Sequence, residues 1–208
     1  MNEDMNRVRL HIEGTIATKQ RVAGECSAAI LEAATLVARA FAGGHKILLC
    51  GNGGSAADCQ HIAAELVSVL TQDFIRPGLP AIAMTTDSSI LTASANDFGY
   101  AGIFERQTQA LGRPGDVLIG ISTSGRSENV IRAMRYANSH GIATIALTGG
   151  TGGGMAELAS VAITVPSGCV QHIQESHIMI GHIICDLAER AVFPELIPAT
   201  GSVSAVAG

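Results

Sequence analysis

Short continuous apolar runs alternate along this chain with longer stretches in which apolar residues recur every third or fourth position. The first pattern suits a strand buried on both faces, the second a helix with one face against a core. Residues 7–42 read as helical, with Ala28-Ala29-Ile30-Leu31, Ala33-Ala34 and Leu36-Val37 forming a broad apolar face. An interruption is expected near Gly14 or Gly24, and Gly43-Gly44 stops the segment. Strands are predicted at 46–50, 80–85, 116–121, 143–148 and 161–165, and helices at 55–70, 88–95, 100–111, 127–139, 154–159 and 173–192. This alternation predicts an α/β fold built on a parallel sheet with helices on both faces. Residues 1–197 read as a single domain whose first 43 residues form a helical arm, and 198–208, without periodicity, as a tail.

Composition narrows the picture. At 208 residues the chain suits one domain, and 47% of it is hydrophobic against 15% charged. No segment offers the roughly 18 consecutive apolar residues of a membrane span. The apolar surplus therefore predicts burial in a core and between subunits. A net charge of −5, without a basic stripe and with only 2 Tyr, 5 Phe and no Trp, argues against nucleic acid as a partner. Met1–Leu10 is too polar for a secretory signal, and Cys26, Cys50, Cys59, Cys169 and Cys185 form no C-x-x-C pair. Reduced thiols in a cytoplasm are expected.

Two glycine- and hydroxyl-rich turns carry the candidate chemistry. In the first, a predicted strand ending at Cys50 runs into Gly51-Asn52-Gly53-Gly54-Ser55 and then a helix. Its spacing is neither the dinucleotide fingerprint nor a P-loop, yet a turn opening a helix offers backbone N–H groups to an anion. In the second, the strand at 116–121 is followed by Ser122-Thr123-Ser124-Gly125-Arg126-Ser127 and another helix. One hydroxyl would cap that helix; the four of Ser122, Thr123, Ser124 and Ser127 point to phosphate binding at the carboxyl end of a strand. Asn96-Asp97-Phe98-Gly99 reads as a polar turn, and the glycine run Gly149–Gly154, poor in hydroxyls, as a flexible loop.

The helix after the first turn carries His61 and Glu65, about 40° apart around the axis, a pair able to hold a metal or to move a proton. On the last helix Gln174 and His182 stand among isoleucines, about 80° apart and two turns distant. His177 reads as a core histidine, His140 and His172 as loop or cap residues.

These segments resemble the SIS (sugar isomerase) family, and CGNGGSAADCQHIAAEL, ANDFG, GDVLIGISTSGRSENVI, ALTGG and IQESHIMIGH resemble its phosphoheptose isomerase branch, over about residues 7–193. The resemblance implies an SIS-type three-layer sandwich with a five-stranded parallel sheet, and a homotetramer with active sites at subunit interfaces. It implies a cytoplasmic, enediol-forming isomerase of sedoheptulose 7-phosphate and D-glycero-D-manno-heptose 7-phosphate, at the start of heptose biosynthesis for lipopolysaccharide or capsule. Carried over by position, Asn52, Gly53, Gly54, Ser55, Asn96, Asp97 and Gln174 contact substrate, and Ser122, Thr123, Ser124 and Ser127 hold its phosphate. His61, Glu65, Gln174 and His182 bind one zinc per subunit; Glu65, also a substrate contact, and His182 transfer protons. Gln171 and His172 depart from the acidic and basic residues expected there. Two alternatives stand beside this reading: a non-catalytic SIS-fold binding protein of the replication-initiator-associating type, and an isomerase of another sugar phosphate.

Overall fold

The computed structural model describes residues 2–197; the tail expected over 198–208 lies outside the described residues. Five strands form one parallel sheet: β1 (Ile47–Gly51), β2 (Ala81–Ala83), β3 (Val117–Ile121), β4 (Ala143–Gly149) and β5 (Val161–Val165), in the spatial order β2-β1-β3-β4-β5. β1 and β3 are buried at every position, which is why they read as unbroken apolar runs, whereas β5, at an edge, alternates. Leu48, Leu49 and Ile119 are essentially solvent-free, and each such side chain contributes roughly 1.5–3 kcal/mol.

Alternate residues of the strands face two separate cores. On one face Ile47, Leu49 and Ile119 pack under α2 (Ser27–Ala42), α3 (Gly54–Val67) and α8 (Val170–Val192). On the other, Leu48, Cys50 and Leu118 pack under α5 (Ile103–Leu111), α6 (Glu128–Ser139) and α7 (Gly153–Leu158). The chain leaves β1 through α3 on the first face and β3 through α6 on the second. The adjacent carboxyl ends of β1 and β3, with Gly51 paired to Ile121, therefore mark the switch point at which open α/β sheets bind ligands.

Two elements differ from the expectation, while the break in the N-terminal helix falls near Gly24, at Cys26 between α1 (Glu3–Glu25) and α2; Gly14 is helical, and the His172 ring lies against it. A side chain at Gly14 would collide with that ring, so this glycine serves a close approach, not a break. Asn96-Asp97-Phe98 is not a turn but the last part of α4 (Ser88–Phe98), which starts with Asp87 Oδ1 accepting from the Ile90 amide at 2.9 Å and stops at Gly99, φ +74°. The stop signal was the glycine, not the polar pair before it. α8 begins at Val170, so Gln171 and His172 belong to its first turn, and the His172 ring meets His11 of α1 edge-on at 4.8 Å. His140 caps the end of α6.

α3 and α8 run side by side in the same direction: Gln174 lies over Gly54, and Gly181 lies against Ile62. A Cβ on Gly181 would stand 2.7 Å from Ile62 Cδ1 and 2.8 Å from Cγ1. Gly181→Val is expected to force these helices apart and to destabilise the fold by about 1–3 kcal/mol, read as a lowered urea midpoint.

Candidate functional site

The first turn is held rigid by its own polar groups. The Asn52 amide donates to Asn129 Oδ1 at 2.9 Å and its carbonyl accepts from Asn129 Nδ2 at 2.8 Å and from the Tyr100 hydroxyl at 2.7 Å. Every hydrogen-bonding direction of Asn52 but one N–H is thereby engaged, so the backbone of Gly53 and Gly54 is presented in one orientation. Gly53, φ +56°, is the N-cap of α3 and supplies no side-chain cap, so the first amides of the helix have no side-chain partner there. The Gln174 side chain rests on Gly54, where a Cβ would overlap its amide, and Ser55 is buried beneath. A cleft of about 250 Å³ opens between Asn52-Gly53 and Thr92, Ala95 and Tyr100.

The second turn is built around hydroxyls facing one another. Ser122 Oγ lies 2.8 Å from Ser127 Oγ and 3.4 Å from Ser124 Oγ. Ser127 occupies the N-cap of α6 but makes no capping bond with its side chain; its hydroxyl is turned to Ser122 instead. The plain capping role is thus not what Ser127 does, and these hydroxyls with the start of α6 offer neutral donors suited to an anion. Thr123 is half-buried between them. Gly125, φ +63°, lies so close to Gly152 and Gly153 that no side chain fits, and its carbonyl accepts from the Met155 amide at 3.1 Å. The glycine run expected to be a flexible loop is therefore a packing partner of the serine turn.

Away from both turns, His61 and Glu65 of α3 meet His182 of α8. His61 Nε2 lies 2.8 Å from His182 Nε2 and 3.3 Å from Glu65 Oε1, and one ligand atom from each residue falls within 4.8 Å of the others. Two imidazole lone pairs aimed at each other repel unless a proton or a cation lies between them. Two nitrogens and a carboxylate oxygen are a donor set suited to a divalent cation such as zinc. Gln174 does not join these three within one chain: eight residues of helix separate it from His182 by about 12 Å along the axis. It belongs instead to the Asn52–Ser55 turn. Asn96 and Asp97 are exposed on α4, with Asn96 Nδ2 donating to Asp97 Oδ1 at 2.8 Å, and neither lines the cleft beside Asn52.

Several residues of the site were not singled out from the sequence. Asn129, inside GDVLIGISTSGRSENVI but given no role there, and Tyr100, outside every quoted segment, orient Asn52. Asp58, one turn before His61, is buried, and its Oδ2 has no hydrogen-bond partner among the described residues. Burial pushes its carboxyl up to about 6 against the opposing pull of His61. A carboxylate three positions from a histidine in an apolar helix face was the available signal. His177, as expected, is a core residue: its Nε2–H donates to the Thr148 carbonyl at 2.9 Å, and burial pushes its pKa down to about 4, keeping it neutral.

Known proteins resemble this chain over most of its length. The SIS domain family matches residues 11–149. A phosphoheptose isomerase of Roseiflexus sp. is 51% identical over 184 residues, covering 88% of this chain and 92% of that protein. The solved phosphoheptose isomerase of Neisseria gonorrhoeae superposes with a TM-score of 0.83 at 43% identity, covering 88% of this chain and 97% of that one. That of Francisella tularensis gives 0.86 at 36% identity, with coverage of 91% and 100%.

The raised carboxyl of Asp58 makes a stability prediction. Its folded pKa lies above its unfolded one, so the folded state binds the proton more tightly, and stability falls as pH rises from about 4 through about 6. Asp58→Asn, measured on metal-free protein, should raise the melting temperature more at pH 8 than at pH 5; an equal change at both would contradict the burial assigned to this group.

Proposed function

The chain belongs to the phosphoheptose isomerase family of SIS-domain proteins, and on that premise we propose how its residues carry out the reaction. The enzyme interconverts a ketose, sedoheptulose 7-phosphate, and an aldose, D-glycero-D-manno-heptose 7-phosphate. The convergence of His61, Glu65 and His182 carries the mechanistic reading. A non-catalytic binding protein of the same fold needs an anion cradle, but it does not need a carboxylate and two imidazoles brought together from separate helices.

In the proposed site, Ser122, Thr123, Ser124 and Ser127 with the start of α6 hold the phosphate, and Asn52, Gly53, Gly54, Ser55 and Gln174 orient the sugar. Binding energy collected at the phosphate, remote from the reacting carbons, fixes those carbons against the acid/base groups. Glu65 takes the proton from C1 of the ketose and delivers it to C2. His182 moves the hydroxyl proton between O1 and O2 as the carbonyl shifts, through an enediol. The three converging residues would hold a zinc ion, whose Lewis acidity stabilises negative charge on the sugar oxygens when it is bound. Glu65 then has two tasks, ligand and base, and it serves both by exchanging between two poses. Asn96 and Asp97, exposed on α4, contact the sugar only if a neighbouring subunit or a movement of α4 closes the cleft. Gln174 likewise reaches the metal only from another subunit. Both needs agree with a homotetramer whose active sites lie at interfaces, and exposed Met5, Val8, Ile12 and Ile16 along α1 supply apolar surface for one.

No helix among the described residues is long and apolar enough to cross a membrane. We place the enzyme in the cytoplasm, with its product passing to heptose-containing surface glycans.

Two measurements test this. Metal-replete protein incubated with sedoheptulose 7-phosphate should give the heptose aldose by NMR and lose that activity after chelation, with recovery on adding zinc; a chelator-insensitive rate would remove the metal from the reading. Glu65→Gln should lower turnover by about 10²–10⁴-fold while sugar-phosphate binding stays detectable by calorimetry. Wild-type turnover in that variant would exclude Glu65 as the base.

A further inference from the structure

The segment between α3 and β2 places one arginine entirely inside the protein. The Arg76 side chain and its partner Glu189 are 0% and 1% exposed, and Arg76 Nε donates to Glu189 Oε2 at 2.9 Å. The rest of the guanidinium is spent on the end of α3. Nη2 donates to the Glu65 carbonyl at 2.9 Å, and Nη1 to the carbonyls of Leu66 at 2.8 Å, Ser68 at 3.0 Å and Pro77 at 3.1 Å.

Carbonyls at a helix end need partners, but water or a glycine turn supplies them without burying a charge. Burying an ion pair is expensive, and an apolar plug of the same volume would often be as stable. What the pair supplies that a plug cannot is direction. One rigid planar group bonds the backbone of Glu65 on α3 and the side chain of Glu189 on α8. Glu189 stands two turns beyond His182 on the same rigid helix. The pair therefore joins the helix carrying His61 and Glu65 to the helix carrying His182, close to where those side chains meet.

We propose that Arg76 and Glu189 are positioning residues: they set the register and distance between α3 and α8 so that Glu65 and His182 stand ready for the cation before it binds. This rests on the reading of His61, Glu65 and His182 as a metal site. The pair touches neither substrate nor reacting atoms and acts only through the helices it ties.

The test is zinc affinity, measured by competition with a chromogenic chelator, on the wild type, on R76M/E189M and on R76K. The double variant removes both charges together and leaves no buried ion unpaired, though it deprives the carbonyls of Glu65, Leu66, Ser68 and Pro77 of their donor, so it is expected to melt cooperatively at a lowered temperature. It should nonetheless bind zinc about 10- to 100-fold more weakly, the size of effect seen when groups behind metal ligands are removed. R76K keeps the charge opposite Glu189 but cannot reach the carbonyls of Glu65, Leu66 and Ser68 together, and should weaken zinc binding in the same direction. Folded R76M/E189M with wild-type zinc affinity overturns the proposal and leaves the metal reading standing. A wild type that binds no zinc overturns the metal reading, and the proposal falls with it.

Should the variants fail to fold, the wild type decides. A lock that favours the metal-ready arrangement must itself be favoured by the metal. Zinc should then raise amide exchange protection over 76–80 and 189–193, which contain none of the three ligands. This includes Leu79, whose amide donates to the Leu66 carbonyl, and Phe193, whose amide donates to the Glu189 carbonyl. Unchanged protection in both segments overturns the proposal.

Discussion

The same-direction packing of α3 against α8 is the contact on which the chemistry depends. Gly181, lacking a side chain, lets Ile62 approach closely, and that approach sets His61 opposite His182 at 2.8 Å. A displacement by one residue would rotate either histidine by about 100° and shift it 1.5 Å, enough to separate the pair. Three contacts lie along the interface: Gln174 on Gly54 at the start, Gly181 on Ile62 near the middle, and Arg76 between Glu65 and Glu189 at the end. The acid/base constellation is thus a property of an interface between helices distant in sequence.

The anion cradle depends on a different constraint, the topology of the sheet. β1 and β3 are neighbours whose helices leave to opposite faces, so the two turns end side by side. Asn129, at the start of α6, bonds Asn52 of the other turn in both directions. The turns are therefore one rigid unit. Gly125 against Gly152 extends that unit to the turn after β4. In the proposed reaction anchoring and chemistry are divided: backbone and hydroxyls of the two turns would hold the phosphate, while the reacting carbons would meet groups on α3 and α8.

Buried polar groups concentrate along the same helices. Asp58, His177 and the Arg76–Glu189 pair are all largely removed from solvent, and Asp58 Oδ2, His177 Nδ1 and Glu189 Oε1 lack hydrogen-bond partners among the described residues. Each such atom costs stability that an apolar residue would not. A fold optimised for stability alone would not gather them along one pair of helices. Their placement there is what is expected of a site whose electrostatics are set by burial and direction.

The strand–helix alternation, the two anion turns and the His61–Glu65 pair could be read from the sequence because each is local. Periodicity reports burial along a single element, a turn follows from its own glycines and hydroxyls, and residues four apart on a helix share a face whatever surrounds them. The same locality explains the misreadings. Asn96-Asp97 carries turn chemistry, but whether a helix tolerates it in its last turn depends on Gly99 and on where the cap at Asp87 starts that helix. The glycine run after β4 signals freedom until the serine turn packs into it. The resemblance grouped His182 with His61 and Glu65, but only the tertiary structure decided that they meet within one chain, that Gln174 lies two turns away over Gly54, and that Asn129 bonds Asn52 and Arg76 bonds the end of α3. Those relations are distances between elements far apart in the chain, set by strand order and by how closely two helices approach, and no pattern within any one segment encodes them.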